Sequence, residues 1–143
     1  MIRFQSDDIE MPVLDMSRMR RWIGAVAAGY GFTVGEINYI FCSDERELKV
    51  NRQYLGHDYY TDIITFDYST RMTLSADIFI SLETVKSNAA LIGTTFENEL
   101  QRVLIHGVLH LTGQGDKTEE ACREMHRKED AALEILREME AAE

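Results

Sequence analysis

Proline and cysteine are almost missing from this chain: its 143 residues include one proline, Pro12, and two cysteines, Cys42 and Cys122. With the proline near the start, no later segment is barred from helix or strand by a fixed φ or a missing N–H. Two cysteines far apart build no disulfide framework, and neither has a CxxC neighbour, so no sulfur-rich metal site is expected. Both are expected as buried or half-buried thiols in a reducing compartment, Cys42 at the end of a buried strand. No apolar run approaches the roughly 18 residues that a membrane span needs. The opening MIRFQSDDIE lacks the basic and apolar regions of a secretion signal, so the expected location is cytoplasmic. Glycine-rich phosphate loops and the dinucleotide fingerprint are absent too.

Positive charge is also scarce. Lys and Arg number 15 against 25 Asp and Glu, a formal net charge of −10. A protein that captures nucleic acid unaided usually carries a basic stripe to exchange for phosphate counterions. Here only local patches are available: Arg18, Arg20 and Arg21, then Arg46, Lys49 and Arg52. Much of the acid lies in the C-terminal segment, where a solvated helix face is the plain explanation.

What is present is ordinary globular material, 45% hydrophobic and 28% charged, of a length that suits one domain over 1–143. Ile2 to Phe4 forms a short strand. Ser17 to Ala28 reads as a helix with Trp22, Ile23, Val26 and Ala27 on its apolar stripe. Glu36 to Cys42 alternates as a strand. Ser43 or Asp44 caps a second helix, with Glu47 completing a capping box from Asp44 and Leu48, Asn51 and Leu55 along it. Strands follow at about Asp62 to Phe66 and Asp77 to Ile80, joined by a hairpin-like connection. Leu82 to Leu91 is a short helix, Thr95 caps a helix over Glu97 to Leu111, and Thr118 caps a last one reaching about Met139. About four strands and about five helices make an α/β or α+β layer around one sheet.

His106 and His110 carry the chemistry of HGVLHLTGQGD. At i and i+4 on a helix they differ by about 40° in direction and share a face, so both imidazoles can reach one ion. Gly113 lets the chain turn back after the helix, and Asp116 is then the nearest third donor. His–His–Asp plus water is a feasible catalytic zinc set. Taken alone, an HxxxH pair is more often two half-buried histidines bonded to neighbours, and Asp116 serves equally as a turn or capping residue. Gly107 stands where zinc peptidases of the HExxH type carry their general base. A glycine there instead allows close approach of a strand, substrate or backbone. His57, after Gly56, is a proton carrier, a substrate contact or merely a surface residue. His126 lies mid-helix and suits a surface or packing role. Asp62 and Asp77, at or near strand ends, are each able to cap a helix, orient a ligand imidazole or act on water.

HGVLHLTGQGD resembles the HGxLHLxGxDH signature of the YbeY family of rRNA maturation factors, metal-dependent endoribonucleases specific for single strands. The resemblance continues upstream through LKVNRQYLGHDYYTDIITFDY, ADIFISLETVKSNA and FENELQRVLIHG, in the family's order. It implies an α+β fold, a single α/β/α-type domain with a roughly four-stranded mixed sheet, about five helices and a zincin-like metal helix. It also implies one zinc ion, or another divalent metal, held by His106, His110 and the residue ten positions after the first histidine. The family has a histidine there; this chain has Asp116. Asp62 matches the TDVLSF-like motif and Asp77 the aspartate of GDI, here ADI, which with His57 makes the candidate catalytic set. Leu55 replaces a family arginine thought to contact the RNA backbone, and His57 or Arg52 is the available substitute. The implied role is cleavage of single-stranded rRNA in small-subunit 3′-end maturation and ribosome quality control. The implied partners are the small ribosomal subunit, its proteins and a ribosome-associated GTPase, with neither DNA nor membrane. The alternatives are a non-catalytic, metal-stabilised ribosome-assembly factor, which Leu55 keeps in play, and a zinc peptidase, against which Gly107 counts.

Overall fold

The computed structural model describes residues 1–57 and 61–143. In chain order these form β1 (Ile2–Ser6), α1 (Met16–Gly29), β2 (Thr33–Cys42), α2 (Asp44–Val50), a π-helical turn (Asn51–Leu55), β3 (Ile63–Asp67), β4 (Thr73–Ser81), α3 (Leu82–Ile92), α4 (Phe96–Leu111) and α5 (Glu119–Ala142). Every α-helix opens on a short oxygen-bearing side chain that accepts a backbone N–H three residues on: Asp15, Ser43, Ser81, Thr95 and Thr118. Each such cap stabilises its helix by about 1 kcal/mol. The expected capping box at α2 does not form. Ser43, not Asp44, is the cap, and Glu47 turns inward to 2% exposure.

The sheet order is β1-β2-β4-β3, with β1, β2 and β4 mutually parallel and β3 antiparallel to β4. It is therefore the mixed four-stranded sheet expected, among the described residues. Along β4 the period of two sorts the two faces. Leu74, Ala76, Ile78 and Ile80 are buried towards the helices, while Ser75, Asp77 and Phe79 are half-buried on the other side. The first face carries the core. Phe4 stacks on Tyr39 at 5.3 Å between ring centres, the Tyr39 hydroxyl donates to the Leu104 carbonyl of α4 at 2.9 Å, and the Trp22 indole of α1 donates to the Ala132 carbonyl of α5 at 2.7 Å. On the second face Phe66 meets both Tyr54 of the π turn and Phe79 edge-on. No helix among the described residues is long and apolar enough to cross a membrane.

Gly107 explains how α4 comes so near the sheet. A Cβ there would stand 3.1 Å from the Ile63 side chain and 3.2 Å from that of Ile78. Even a methyl group there would make the two isoleucine ends give way slightly, and a bulkier side chain would press α4 from β3 and β4. The glycine therefore serves a strand's approach, and a peptidase-type glutamate at this position would enter the core.

Cys42 ends β2 fully buried, as expected, and burial pushes its thiol pKa up to about 12. Cys122, expected to be buried or half-buried, is exposed on α5. Most cations of the two basic patches have partners. Arg18 and Arg21 bond Glu143, Arg46 bonds Asp7 at 2.7 Å, Lys49 lies 3.9 Å from Glu45, and Arg20 donates to the Ile2 carbonyl at 2.8 Å.

Candidate metal centre

The C-terminal turn of α4 and the loop behind it build the site. His106 and His110 stand one turn apart with rings 4.6 Å between centres and nearly perpendicular, at 86°. Gly113 then adopts φ +103°, a left-handed conformation that favours glycine, and reverses the chain. This brings Asp116 back against both rings. Its Oδ2 lies 3.2 Å from His110 Nε2 and 3.5 Å from His106 Nε2. One ligand atom from each of the three falls within 4.8 Å of the others, the one such group among the described residues.

These spacings match an ion's needs. Donors bonded at about 2.0–2.1 Å in a tetrahedron stand about 3.3 Å from one another. All three side chains are about a quarter to a third exposed, 22% for His106, 31% for His110 and 35% for Asp116. The cluster is thus accessible from solvent, so water or a substrate oxygen can reach it. The residues present therefore fit a divalent metal.

Behind the cluster lies a carboxylate that sequence reasoning missed. Glu129 of α5, 5% exposed, accepts from His106 Nδ1 at 2.6 Å and from Arg102 Nη1 at 2.9 Å. Arg102 in turn donates to Asp130 at 2.6 Å. Burial opposes charge on both partners of the His106–Glu129 bond, but their mutual bond, with Arg102 aiding Glu129, outweighs it. The imidazole pKa is raised and the carboxyl pKa lowered. Glu129 looked like part of a solvated acidic face, and its helical phase against α4 is the signal that was available. His126 lies on the surface of α5, its Nδ1 3.5 Å from Arg102 Nη1.

The other candidates scatter around this centre. Asp62 precedes β3, its carbonyl accepting from Ser81 N at 3.0 Å, and its charge acts on His106, Glu47 and Glu99. Burial first, and Asp62 second, raise the pKa of both glutamates, that of Glu47 to about 8. His57 is exposed beyond the π turn, its backbone N–H donating to the Asn51 carbonyl at 3.2 Å. Leu55 is 40% exposed in the same turn. Asp77 is not brought to the cluster. It faces away from α4 on the other side of the sheet, where the Asn38 amide donates to it at 3.0 Å.

A mixed α+β sheet under a helix that ends in a His–His–Asp cluster defines a metal-dependent hydrolase domain of the zincin-like kind. Comparison with known proteins narrows the class. The sequence profile described as Endoribonuclease YbeY matches residues 2–137. Proteins named Endoribonuclease YbeY from Bacteroides fragilis and Parabacteroides distasonis are 52% and 50% identical over 137 residues, 96% of this chain and 99% and 96% of theirs. One from Cytophaga hutchinsonii is 47% identical, over 94% of each chain. A Thermotoga maritima protein solved in solution superposes with a TM-score of 0.69 at 25% identity, covering 99% of this chain and 93% of that one. The chain belongs to the YbeY endoribonuclease family.

Proposed function

We propose that this chain is a zinc-dependent endoribonuclease that cuts single-stranded rRNA, in small-subunit 3′-end maturation and ribosome quality control in the cytoplasm. The observation that carries the reading is the meeting of His106 Nε2, His110 Nε2 and Asp116 Oδ2 at an open helix end in a YbeY-family chain. A divalent ion bound there would supply Lewis-acid polarisation of a phosphoryl oxygen and activation of water. His106, His110 and Asp116 would hold it, and a divalent cation set against one carboxylate would keep net positive charge for a phosphodiester. Asp62, next to His106 in charge and fixed by the β3–β4 ladder, accepts the proton of the attacking oxygen. His57, exposed beyond the π turn, returns a proton to the leaving oxygen. Asp77, engaged by Asn38 on the far face, we assign to the sheet rather than to the reaction. A net charge of −10 and the pairing of most of the candidate cations suit an enzyme that meets RNA already gathered on the small subunit and its proteins, with a ribosome-associated GTPase as a further partner.

Elemental analysis of the purified protein, paired with cleavage of a single-stranded RNA by wild type and His106→Ala, tests this. We expect zinc bound in the wild type and cleavage that vanishes in the variant. RNA cleavage equal in both would reveal a contaminating nuclease and overturn the reading. Bound metal without any cleavage would leave a non-catalytic assembly factor instead.

A further inference from the structure

We propose that Glu129 is the positioning residue of the metal centre, acting through His106 and held by Arg102. The inference rests on the metal reading above. An imidazole offers a ligand lone pair on one nitrogen only when the other carries the proton, so whatever accepts that proton selects the ligating atom. Nothing on α4 makes this choice for His106. It is made by α5, through the 2.6 Å bond from Nδ1 to Glu129 Oε2. With the proton on Nδ1, the Nε2 lone pair faces Asp116 Oδ2 and the same point as His110 Nε2.

Arg102 completes the device. A guanidinium only donates, and its 2.9 Å bond to Oε1 leaves Oε2 as the oxygen that faces the ring. Asp130 anchors the other guanidinium nitrogen at 2.6 Å. The carboxylate is 5% exposed, so little water is available to replace either bond. α5 is thus the part of the fold that orients a ligand carried by α4.

Glu129→Gln tests the assignment with almost no change of shape. The amide has one oxygen for two donors. Arg102 takes it, because a guanidinium has no other use for that position, and the NH2 group then faces Nδ1 and drives the ring proton to Nε2, where the ion should bind. The wrong tautomer follows with the packing intact. Chelator-stripped protein is titrated with Zn2+ in competition with a chromophoric chelator, and with Co2+ by its visible absorption. Glu129→Gln should lose about 10–100-fold in affinity, as does removal of outer partners at other metal sites. Adding Arg102→Met frees the amide to turn its oxygen to His106, and the double variant should regain about tenfold.

Wild-type affinity in Glu129→Gln, or no recovery in the double variant, would overturn the proposal. Should the variants fail to fold, long-range proton–nitrogen spectra of the stripped wild type, recorded at a pH high enough for the ring to be neutral, read the tautomer directly: Nδ1–H on His106 supports the assignment and Nε2–H overturns it. A stripped wild type that takes up neither ion would overturn the metal reading, while the spectra would still test Glu129.

Discussion

Replacing Glu47 by glutamine should remove a pH-dependent weakness from the fold. Glu47 is 2% exposed, and its Oε2 has no hydrogen-bond partner. The amides of Ser81 and Thr61 favour its charge, but burial and the charges of Asp62 and Asp44 outweigh them and raise its pKa from 4.5 to about 8. Below 4.5 the folded and unfolded chains both hold the proton. Between 4.5 and about 8 only the folded chain does, so unfolding releases a proton and stability falls as pH rises; above about 8 neither holds it and the fall stops. At about 1.4 kcal/mol per pH unit the whole interval costs roughly 5 kcal/mol. Local opening of the short α2 lets the carboxylate ionise in water and caps the loss, so a global measurement should read about 2–5 kcal/mol. That is a large share of a typical stability of about 5–15 kcal/mol. Glutamine fills the same space and has no proton to lose.

The assay is urea denaturation followed by fluorescence of Trp22, the single tryptophan and fully buried, in chelator so that metal binding does not contribute. Between about pH 6 and about pH 8, Glu47→Gln should gain about 2–3 kcal/mol over wild type, with no further gain above about pH 9. A difference constant with pH to within about 0.5 kcal/mol would refute the reasoning. It would mean that Glu47 is charged when folded, with its orphan oxygen solvated.

Three further outcomes are expected. Stripping the metal should lower the calorimetric unfolding temperature, and restoring it to a free concentration about 100 times its Kd should return about 2.7 kcal/mol, an effect absent in His106→Ala. Gly107→Val should destabilise the protein by about 1–3 kcal/mol in denaturant titrations, because its side chain must push past the Ile63 and Ile78 ends that a Cβ alone already meets; an unchanged midpoint would show that α4 does not rest on these side chains. A thiol reagent at neutral pH should modify one cysteine of the folded chain, identified by mass spectrometry as Cys122, and reach the buried, high-pKa Cys42 only on unfolding.

Much of the fold was legible because its signals are local. Trp22, Ile23, Val26 and Ala27 repeat at helical spacing and are all buried, and Thr95 and Thr118 cap the helices they were expected to cap. Boundaries failed where the pattern breaks. β2 was expected from Glu36 but begins at Thr33, ahead of a register shift between Val34 and Ile37 that interrupts the alternation. Glu47 looked like the end of a capping box because position and residue type suited one. Its burial depends on β4 and α3 packing against α2, which no local pattern reports.

By itself, the sequence pointed to the three residues of the candidate site. His106, His110 and Asp116 lie within one helix end and one turn, where helical pitch and a left-handed Gly113 bring them together. It also carried the family, through motifs in order along the chain. Only the tertiary structure decided the rest. Asp77 sits across the sheet from the cluster, since strand alternation turns it away once Ile78 faces α4. Glu129 stands behind His106 because α5 packs on α4; its phase with Met125, Ala132 and Leu136 marks it as inward-facing, but only packing decides that it meets His106 and Arg102. Ligand atoms close in sequence are placed by backbone geometry, whereas the groups that orient them arrive from distant segments and are placed by packing.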